Sequence, residues 1–297
     1  STSLTHLDQQ LLNKGLLVQH KKVGRDGNGQ LHQHMGYEIY LFHEGNATMI
    51  IGDHVYPLRS GDMLFISGEV PHISNPDPKQ VYVRSVIHYL DSHVRLFPGE
   101  VLEPIMDLFQ YEGTLIHWDI SEQREIEGII SKMNEELNSK DYGGAELAAT
   151  YLFQLLVSAY RKVKGMYDRT QPSKHLTQRE IYVEQILAVI NSKYNDEIDL
   201  DYISNEVNIN KHYMCHCFKD VTGYTISTYI QLKRIEEAKK LLQSTHQSIT
   251  AIGQCVGIRN VSHFSRLFKE HCGMSPSAYR KKMQSIMKPP SNLHNSS

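Results

Sequence analysis

Hydrophobic and polar positions along the 297-residue chain follow two different periods, and the change falls near residue 100. Between residues 16 and 92, short runs such as 38–42 and 47–51 alternate apolar and polar residues, and Gly- and Asp-rich turns separate them. Alternation with a period of two predicts half-buried strands, and many short strands with frequent turns predict a small β-barrel or jelly roll. Gly45-Asn46 predicts a tight turn that joins two of these strands.

Beyond residue 100 the apolar residues recur at i, i+3 and i+4, which predicts amphipathic helices. Residues 166–176 have the composition of a linker, and residues 285–297 are expected to form a disordered tail. The pattern therefore predicts an α+β chain of two domains. A β-barrel over residues 1–99 is joined by a helical connector, residues 100–165, to an all-α domain over residues 177–284.

One phrase occurs twice in the C-terminal part of the chain, with the same internal spacing and 50 residues apart. Its two copies are Phe218-Lys219, Gly223 and Tyr229, then Phe268-Lys269, Gly273 and Tyr279. Self-similarity at a fixed separation predicts one supersecondary unit built twice.

Each copy follows a helix-period segment and a short break, in which Asn208 or Gly257 tolerates a left-handed backbone. Asn210 and Asn260 then predict the N-caps of the helices that follow. Helix, tight turn and capped helix make up the helix-turn-helix unit, whose second helix enters the major groove of DNA. One copy alone also fits an ordinary helical hairpin, but two copies in register disfavour that interpretation.

A long ordered string over residues 176–283 resembles the AraC/XylS family of bacterial transcription regulators. It comprises Lys233-Arg234-Ile235, Ala238, Leu241-Leu242, Ile249, Ile252-Gly253, Val256-Gly257, Phe264, Phe268-Lys269, Gly273, Pro276 and Tyr279-Arg280. Gly253 departs from the family pattern, in which a small helix former such as Ala is common, and Ile258 replaces the usual Phe. The resemblance implies a double-stranded DNA operator, RNA polymerase as a further partner, a homodimer, and control of transcription as an activator or a repressor.

The resemblance also assigns roles on the two recognition helices, whose inward faces carry Met214 with Phe218 and Phe264 with Phe268. Base-reading positions are His212, Cys215, His216, Val261, Ser262, His263, Ser265 and Arg266. Phosphate contacts are expected from Lys211, Lys219, Arg259 and Lys269. Arg266 is the strongest candidate, because arginine can donate two hydrogen bonds to guanine.

Two stretches of the barrel region resemble the paired motifs of the cupin superfamily. The first is His32, His34, Glu38 and Gly45, and the second is Gly61-Asp62, Gly68, Pro71-His72 and Asn75. The second stretch is one residue short and has Ser67 where proline is usual. On a strand, positions 32, 34, 38 and 40 share one face, so two imidazoles, a carboxylate and a phenol are expected in the barrel interior.

Three uses of this set stay open. His32, His34, Glu38 and His72 can hold a divalent transition metal. Joined by Tyr40, Arg84 and His88, they can instead hydrogen-bond a sugar or another polar small-molecule effector. Arg84 and His88 share one face of the strand predicted over residues 82–89, and that face can equally be solvated. In the third case, His32 and His34 are half-exposed and bind nothing.

An enzyme is the competing class of protein, because the same His and Glu set occurs in cupin dioxygenases and isomerases. A catalytic cupin, however, has no need of a second domain with two groove-reading helices. The sequence therefore predicts a ligand-responsive regulator without catalytic residues and without a certain cofactor.

Two apolar stripes in the connector allow two arrangements. They are Ile126, Ile129, Ile130, Met133 and Leu137, then Leu147, Tyr151, Leu152, Leu155, Leu156 and Ala159. By the family resemblance such helices pair between subunits, and the alternative is that both helices cover the barrel. The connector also lies between the barrel and the helix-turn-helix domain in the sequence, so we expect it to couple effector binding in the barrel to DNA binding.

Charge and composition add three expectations. Residues 174–297 carry 16 Lys and Arg against 11 Asp and Glu, whereas the remainder carries 15 against 22, which suits a nucleic-acid partner for the C-terminal domain. The four cysteines lack metal-ligand or redox spacing and are expected to be reduced thiols. No run of 18 apolar residues occurs, so we expect no membrane span and a cytoplasmic protein.

Overall fold

The computed structural model describes residues 4–24, 29–167 and 175–287. Eight β-strands lie in these residues: β1 (Leu16–Gly24), β2 (Tyr37–Glu44), β3 (Ala47–Ile51), β4 (His54–Leu58), β5 (Asp62–Ser67), β6 (His72–Pro76), β7 (Tyr82–Tyr89) and β8 (Thr114–His117). They form an antiparallel five-stranded sheet in the order β1-β7-β2-β5-β8 and an antiparallel three-stranded sheet in the order β4-β3-β6. The predicted jelly-roll barrel is therefore confirmed.

The Gly45-Asn46 turn joins strands of different sheets. β2 pairs with β5 and β7, whereas β3 pairs with β4 and β6, so the turn carries the chain from one sheet to the other. Gly45 has a φ of +112°, and a Cβ atom there would lie 2.5 Å from the carbonyl oxygen of Val81. Only glycine fits this crossing without strain.

Each sheet has an inner and an outer face, because side chains alternate along a strand. On the inner side, Tyr40, Phe42, Met49 and Leu64 belong to one buried cluster. Alternate residues of the five-stranded sheet, Ile39, Leu41, Phe65 and Ile87, belong to a separate cluster on its outer side.

Eleven α-helices lie in the described residues: α1 (Leu4–Lys14), α2 (Gly99–Ile105), α3 (Ile120–Asn138), α4 (Gly144–Tyr167), α5 (Gln178–Lys193), α6 (Leu200–Val207), α7 (Lys211–Thr222), α8 (Ile226–Ser244), α9 (Ile249–Cys255), α10 (Val261–Cys272) and α11 (Pro276–Met287). The sequence did not predict α1. Helix α4 continues past the expected end of the connector at residue 165, and α11 includes residues 285–287, which were assigned to the tail. Residues 168–174 of the predicted linker and residues 288–297 of the predicted tail lie outside the described residues.

The stripes of α3 and α4 cover the outer face of the five-stranded sheet. Ile126, Ile130, Leu152 and Leu155 are almost fully buried, in one cluster with residues of β2, β5 and β7. Leu147, the first residue of the second predicted stripe, is 44% exposed. Most of the apolar surface expected at a subunit seam is therefore already used within one chain.

Both helix-turn-helix units have the predicted turns and caps. Asn208 has a φ of 53° and Gly257 a φ of 85°, so each turn contains a left-handed residue. The side-chain oxygen of Asn210 accepts the amide hydrogen of His212 at 2.9 Å, and that of Asn260 accepts the amide hydrogen of His263 at 2.8 Å. These bonds satisfy amides that the first turn of a helix leaves free.

The repeated phrase has the same structural role in both copies. The ring centroids of Phe218 and Tyr229 lie 5.4 Å apart, and those of Phe268 and Tyr279 also lie 5.4 Å apart. Between each pair, Gly223 or Gly273 ends the recognition helix in a left-handed conformation. Each phrase thus ends one helix and packs it on the next.

The reader, residues 178–287, packs directly on the outer face of the three-stranded sheet. Ile50, Val55 and Ile73 of the barrel share a buried cluster with Val183 and Leu187 of α5. In addition, the amide of Val55 donates to Glu184 Oε1 at 2.9 Å. The connector therefore covers one sheet and the reader the other, which corrects the expectation that the connector lies between them.

No helix in the described ranges is long and apolar enough to cross a membrane.

Candidate functional site

The ligand segment, residues 31–36, precedes β2 and is not part of a regular strand. His32 forms an isolated antiparallel bridge with His72 of β6, which corrects the prediction that His32 and His34 lie on a strand. Gly36 has a φ of 75°, and a Cβ atom there would lie 2.2 Å from the carbonyl oxygen of Tyr89. This bend turns the segment from the three-stranded sheet into β2.

Glu38 is the centre of a buried cluster of imidazoles. Its Oε2 lies 3.1 Å from Nε2 of His34, 3.0 Å from Nε2 of His72 and 3.3 Å from Nε2 of His88. All four residues are at most 8% exposed. Single residues from the ligand segment, β2, β6 and β7 therefore converge at one carboxylate oxygen.

Backbone carbonyls fix the orientation of three of the rings. Nδ1 of His32 lies 2.7 Å from the carbonyl oxygen of Gln30, Nδ1 of His34 lies 2.9 Å from that of Met35, and Nδ1 of His72 lies 2.8 Å from that of Val70. A carbonyl only accepts, so each Nδ1 carries the proton and donates it. Nε2 of His34 and Nε2 of His72 face Oε2 of Glu38, and Nε2 of His32 is left for a second partner.

Burial and mutual charge set the protonation of the cluster. Burial alone would raise the pKa of Glu38, but the neighbouring His88, His34 and His72 hold it well below its usual value, so the carboxylate is charged. Burial lowers the pKa of His32 well below its usual value and also lowers the pKa of His88, which keeps both rings neutral. Burial opposes charge on His34 too, but its bond to Glu38 outweighs this and raises its pKa.

His32, His34, Glu38 and His72 also fit a metal ion. One ligand atom from each lies within 4.8 Å of all the others. Nitrogen and oxygen ligands at about 2.0–2.2 Å from tetrahedral zinc lie about 3.3–3.6 Å apart, so the widest pair of ligand atoms has to close by about 1.3 Å around an ion. The bonds from Nδ1 to backbone carbonyls are the outer-shell contacts that orient metal-binding histidines.

A second polar group lies on the same inner side of the barrel. The hydroxyl oxygens of Tyr40 and Tyr82 are 2.6 Å apart, and the guanidinium carbon of Arg84 lies 4.4 Å from the ring centroid of Tyr82. Nη1 of Arg84 is buried and has no hydrogen-bond partner among the described residues. This end of the interior can therefore accept an anionic or hydroxyl-bearing group.

The predicted reading positions lie on the surface of α7 and α10, and the first ten residues of the two helices have the same order of exposed and buried positions. His212 and His216 are exposed and Cys215 is half-buried, whereas Val261, Ser262, His263 and Arg266 are exposed and Ser265 is half-buried. The phosphate candidates Lys211, Lys219, Arg259 and Lys269 are exposed as well.

Several of these side chains make ion pairs within the protein. Lys211 lies 2.7 Å from Asp201, Arg259 lies 3.0 Å from Glu197, and His216 lies 3.0 Å from Asp220. Exposed pairs of this kind contribute little stability, so phosphate groups can replace them at low cost.

The structure places the seven ligand candidates in two groups on the inner side of the barrel: His32, His34, Glu38, His72 and His88 in one, and Tyr40 and Arg84 in the other. His72 joins the first group despite the shortened second motif. Sequence reasoning missed Tyr82, Asp8 of α1 and Glu236 of α8. Tyr82 shares the parity of Arg84 and His88 and could have been found from that alternation. Asp8 and Glu236 have no local sequence signal, because tertiary packing alone brings them near the cluster.

A ligand-binding barrel followed by two helix-turn-helix units defines a class of DNA-binding regulators. Two family models match in that order: "AraC-like ligand binding domain" over residues 24–156 and "Helix-turn-helix domain" over residues 203–282. The chain belongs to the AraC/XylS family of transcription regulators, and its matching family models and curated relatives are regulators rather than enzymes.

Curated relatives agree with this family. The uncharacterized HTH-type transcriptional regulator YdiP of Escherichia coli is 30% identical over 146 residues, which are 49% of this chain and 47% of that protein. The Msm operon regulatory protein of Streptococcus mutans is 22% identical over 84% of this chain and 85% of its own length. The HTH-type transcriptional activator RhaR of Salmonella arizonae is 23% identical over 84% of this chain and 86% of its own length.

Among solved structures, ToxT from Vibrio cholerae is 18% identical over 91% of this chain and 99% of its own, with a TM-score of 0.37.

Proposed function

We propose that this regulator reads its operator with α7 and α10. We also propose that its effector is a divalent transition metal, which binds at the Glu38 cluster inside the barrel. The observation that carries the proposal is the set of three imidazoles, each held at Nδ1 by a backbone carbonyl, beside a buried carboxylate. Imidazole and carboxylate ligands together suit zinc, nickel, copper or iron rather than magnesium or calcium.

The reading surface supports a division of labour between the two recognition helices. Arg266 on α10 suits guanine, and the neighbouring Val261, which is 39% exposed, suits contact with a thymine methyl group. His212, Cys215 and His216 occupy the corresponding positions on α7. Lys211, Lys219, Arg259 and Lys269 contribute phosphate contacts that position the protein without reading sequence.

A polar organic effector is the second candidate, and the Arg84 guanidinium favours it. Arg84 is a half-buried cation over the ring of Tyr82, and its Nη1 has no hydrogen-bond partner among the described residues, which suits a carboxylate, a phosphate or a sugar hydroxyl. Activation of transcription, contact with RNA polymerase and a homodimer are further proposals that follow from the family.

Metal content and operator binding test the effector proposal. We expect purified protein to bind Zn²⁺, and His34→Ala and Glu38→Ala to raise the Kd for Zn²⁺ more than about 100-fold, because changes at outer-shell partners alone cost about 10–100-fold. Both variants should keep the basal affinity for an operator selected in vitro and lose its response to Zn²⁺. His246→Ala is the control, because His246 is exposed in the turn between α8 and α9, away from the barrel, and this variant should behave as wild type.

Circular dichroism checks that each variant is folded. Folded His34→Ala that binds Zn²⁺ as wild type would contradict the metal site. Mass spectrometry tests the organic effector by identifying small molecules that co-purify with wild type and with Arg84→Ala. A ligand that wild type retains and Arg84→Ala loses would support the organic effector.

A further inference from the structure

Four consecutive amides of the ligand segment connect the cluster to three different parts of the molecule. The amide of His32 donates to the carbonyl oxygen of His72 at 3.1 Å, and the amide of His34 to that of Gly68 at 2.9 Å, so both bind the barrel. The amide of Gln33 donates to Glu236 Oε2 at 3.1 Å, and the amide of Met35 to Asp8 Oδ1 at 2.9 Å. Every second amide therefore points away from the barrel.

Glu236 lies on α8, the helix that joins the two helix-turn-helix units. It is 5% exposed and lies 2.8 Å from Nζ of Lys239, which is 6% exposed, so the two form a buried ion pair. Burial raises the pKa of Glu236, and the charges of Lys239 and His72 act against that rise. The carboxylate thus receives a barrel amide while it lies within the field of a cluster histidine.

Asp8 of α1 closes the other side of the same network. It is 4% exposed, and burial raises its pKa against the opposing charges of His34 and Lys239. Asp8 is therefore near both a cluster histidine and the buried lysine of α8. Gln33 lies between His32 and His34 in the chain, and its amide is bonded to α8, the helix that joins the two helix-turn-helix units.

The contact is not at its energetic optimum. Gln33 is 8% exposed, and neither its side-chain nitrogen nor its side-chain oxygen has a hydrogen-bond partner among the described residues. A buried amide without partners costs about 1–3 kcal/mol, so a rearrangement that satisfies it can recover free energy. The interface therefore has a reason to adopt a second arrangement.

We propose that the amide of Gln33 and the Glu236–Lys239 pair form a clamp that couples occupancy of the cluster to the position of α8. The proposal rests on the effector site proposed above. A ligand that engages His32 and His34 holds the chain on both sides of Gln33, whose amide is hydrogen-bonded to α8. The coupling route runs through the barrel–reader interface and not through α3 and α4, which lie on the opposite sheet.

Thermodynamic linkage between metal and operator tests the clamp. In wild type, a selected operator duplex should change the Kd for Zn²⁺ about 5–150-fold, the usual size of allosteric coupling. In Glu236→Ala the Kd for Zn²⁺ without DNA should stay within a few-fold of wild type, and the operator should no longer change it. Glu237→Ala is the matched control, because Glu237 pairs with Lys233 on the same helix and makes no hydrogen bond to the barrel within the described part of the chain.

A second variant guards against misfolding, since Glu236→Ala leaves Lys239 buried without its partner. Glu236→Leu combined with Lys239→Met removes both charges and keeps the volume, which proteins often tolerate. It should lose the coupling in the same way. Wild-type coupling in either folded variant, or an equal loss in Glu237→Ala, would overturn the clamp.

Hydrogen exchange distinguishes failure of the clamp proposal from failure of the proposed metal site. Peptides that cover residues 31–36 should exchange faster in the folded Glu236 variants than in wild type, whether or not a metal is added. Unchanged exchange there would sink the clamp even if Zn²⁺ binds. If wild type binds no Zn²⁺ but this exchange rises as expected, the effector proposal fails while the contact itself stands.

Discussion

At the scale of single residues, Glu38 explains why so many histidines can be buried together. A buried carboxylate is costly unless charged or hydrogen-bonding partners surround it. Three imidazole nitrogens within 3.3 Å of one oxygen supply those partners, and the negative charge in turn favours a proton on His34 or a cation in its place. Removal of Glu38 would leave several imidazoles without their common partner.

Arg266 gives the most specific residue-scale prediction for DNA. It is an exposed side chain of α10, bonded to His263 at 3.2 Å and 3.9 Å from Glu270, so both neighbours hold it over the reading surface. We expect Arg266→Ala to lower the preference for operator over scrambled DNA by about 1–3 kcal/mol, measured by titration of both duplexes at one salt concentration.

Arg259→Ala is the matched control, since Arg259 is exposed at the turn before α10 and is expected to bind phosphate. It should weaken binding to both duplexes alike and reduce the salt dependence. An unchanged affinity ratio in Arg266→Ala, or a change of the same size in Arg259→Ala, would refute the base-reading role.

At the scale of helices and strands, α9 shows how packing can reverse a helix propensity. Glycine inside a helix usually costs up to about 1 kcal/mol relative to alanine, so Gly253 looks unfavourable in the sequence. In the structure, a Cβ atom at Gly253 would lie 2.9 Å from the carbonyl oxygen of Ile258 and 3.2 Å from a ring carbon of Phe264. The turn of the second helix-turn-helix unit therefore leaves no room for a side chain at position 253.

Gly253→Ala should accordingly lower the free energy of unfolding, although propensity alone predicts a gain. Gly128→Ala in α3 is the matched control, because nothing lies within 4 Å of the added Cβ there, and it should raise the free energy of unfolding by up to about 1 kcal/mol. Urea denaturation of both variants measures the difference. Stabilisation by both substitutions would show that the contact at Gly253 relaxes freely.

The reader was predictable from the sequence because its signals are local. Asn208, Asn210, Gly257 and Asn260 act within a few residues of their own position, and each has the predicted conformation or bond. The barrel was predictable only in part. Side-chain parity grouped Tyr40 with Glu38 and Arg84 with His88, but it left open whether Arg84 and His88 face the interior or solvent. Whether Gly45-Asn46 joins one sheet or two depends on strand pairing far away in the chain.

At the scale of the whole molecule, the barrel lies between the connector and the reader. Alternating residues of the five-stranded sheet face α3 and α4, and the outer residues of the three-stranded sheet face α5 and α7. The sequence could not give this order, because an amphipathic stripe shows that a helix has an apolar partner without naming the partner. For the same reason, the sequence could not show whether the connector helices pair between subunits or cover the barrel.

Leu155 of α4 distinguishes those alternatives in solution. It is fully buried in the cluster with the five-stranded sheet, so Leu155→Ala should lower the free energy of unfolding by about 2–5 kcal/mol and leave the sedimentation coefficient of the full chain unchanged. Leu147→Ala on the same helix is the matched control, and its exposed side chain should change stability by no more than about 0.5 kcal/mol. If Leu155→Ala instead dissociates a dimer with little loss of unfolding free energy, the stripe is a subunit seam, and the packing of α4 on the sheet must be rearranged in the assembled protein.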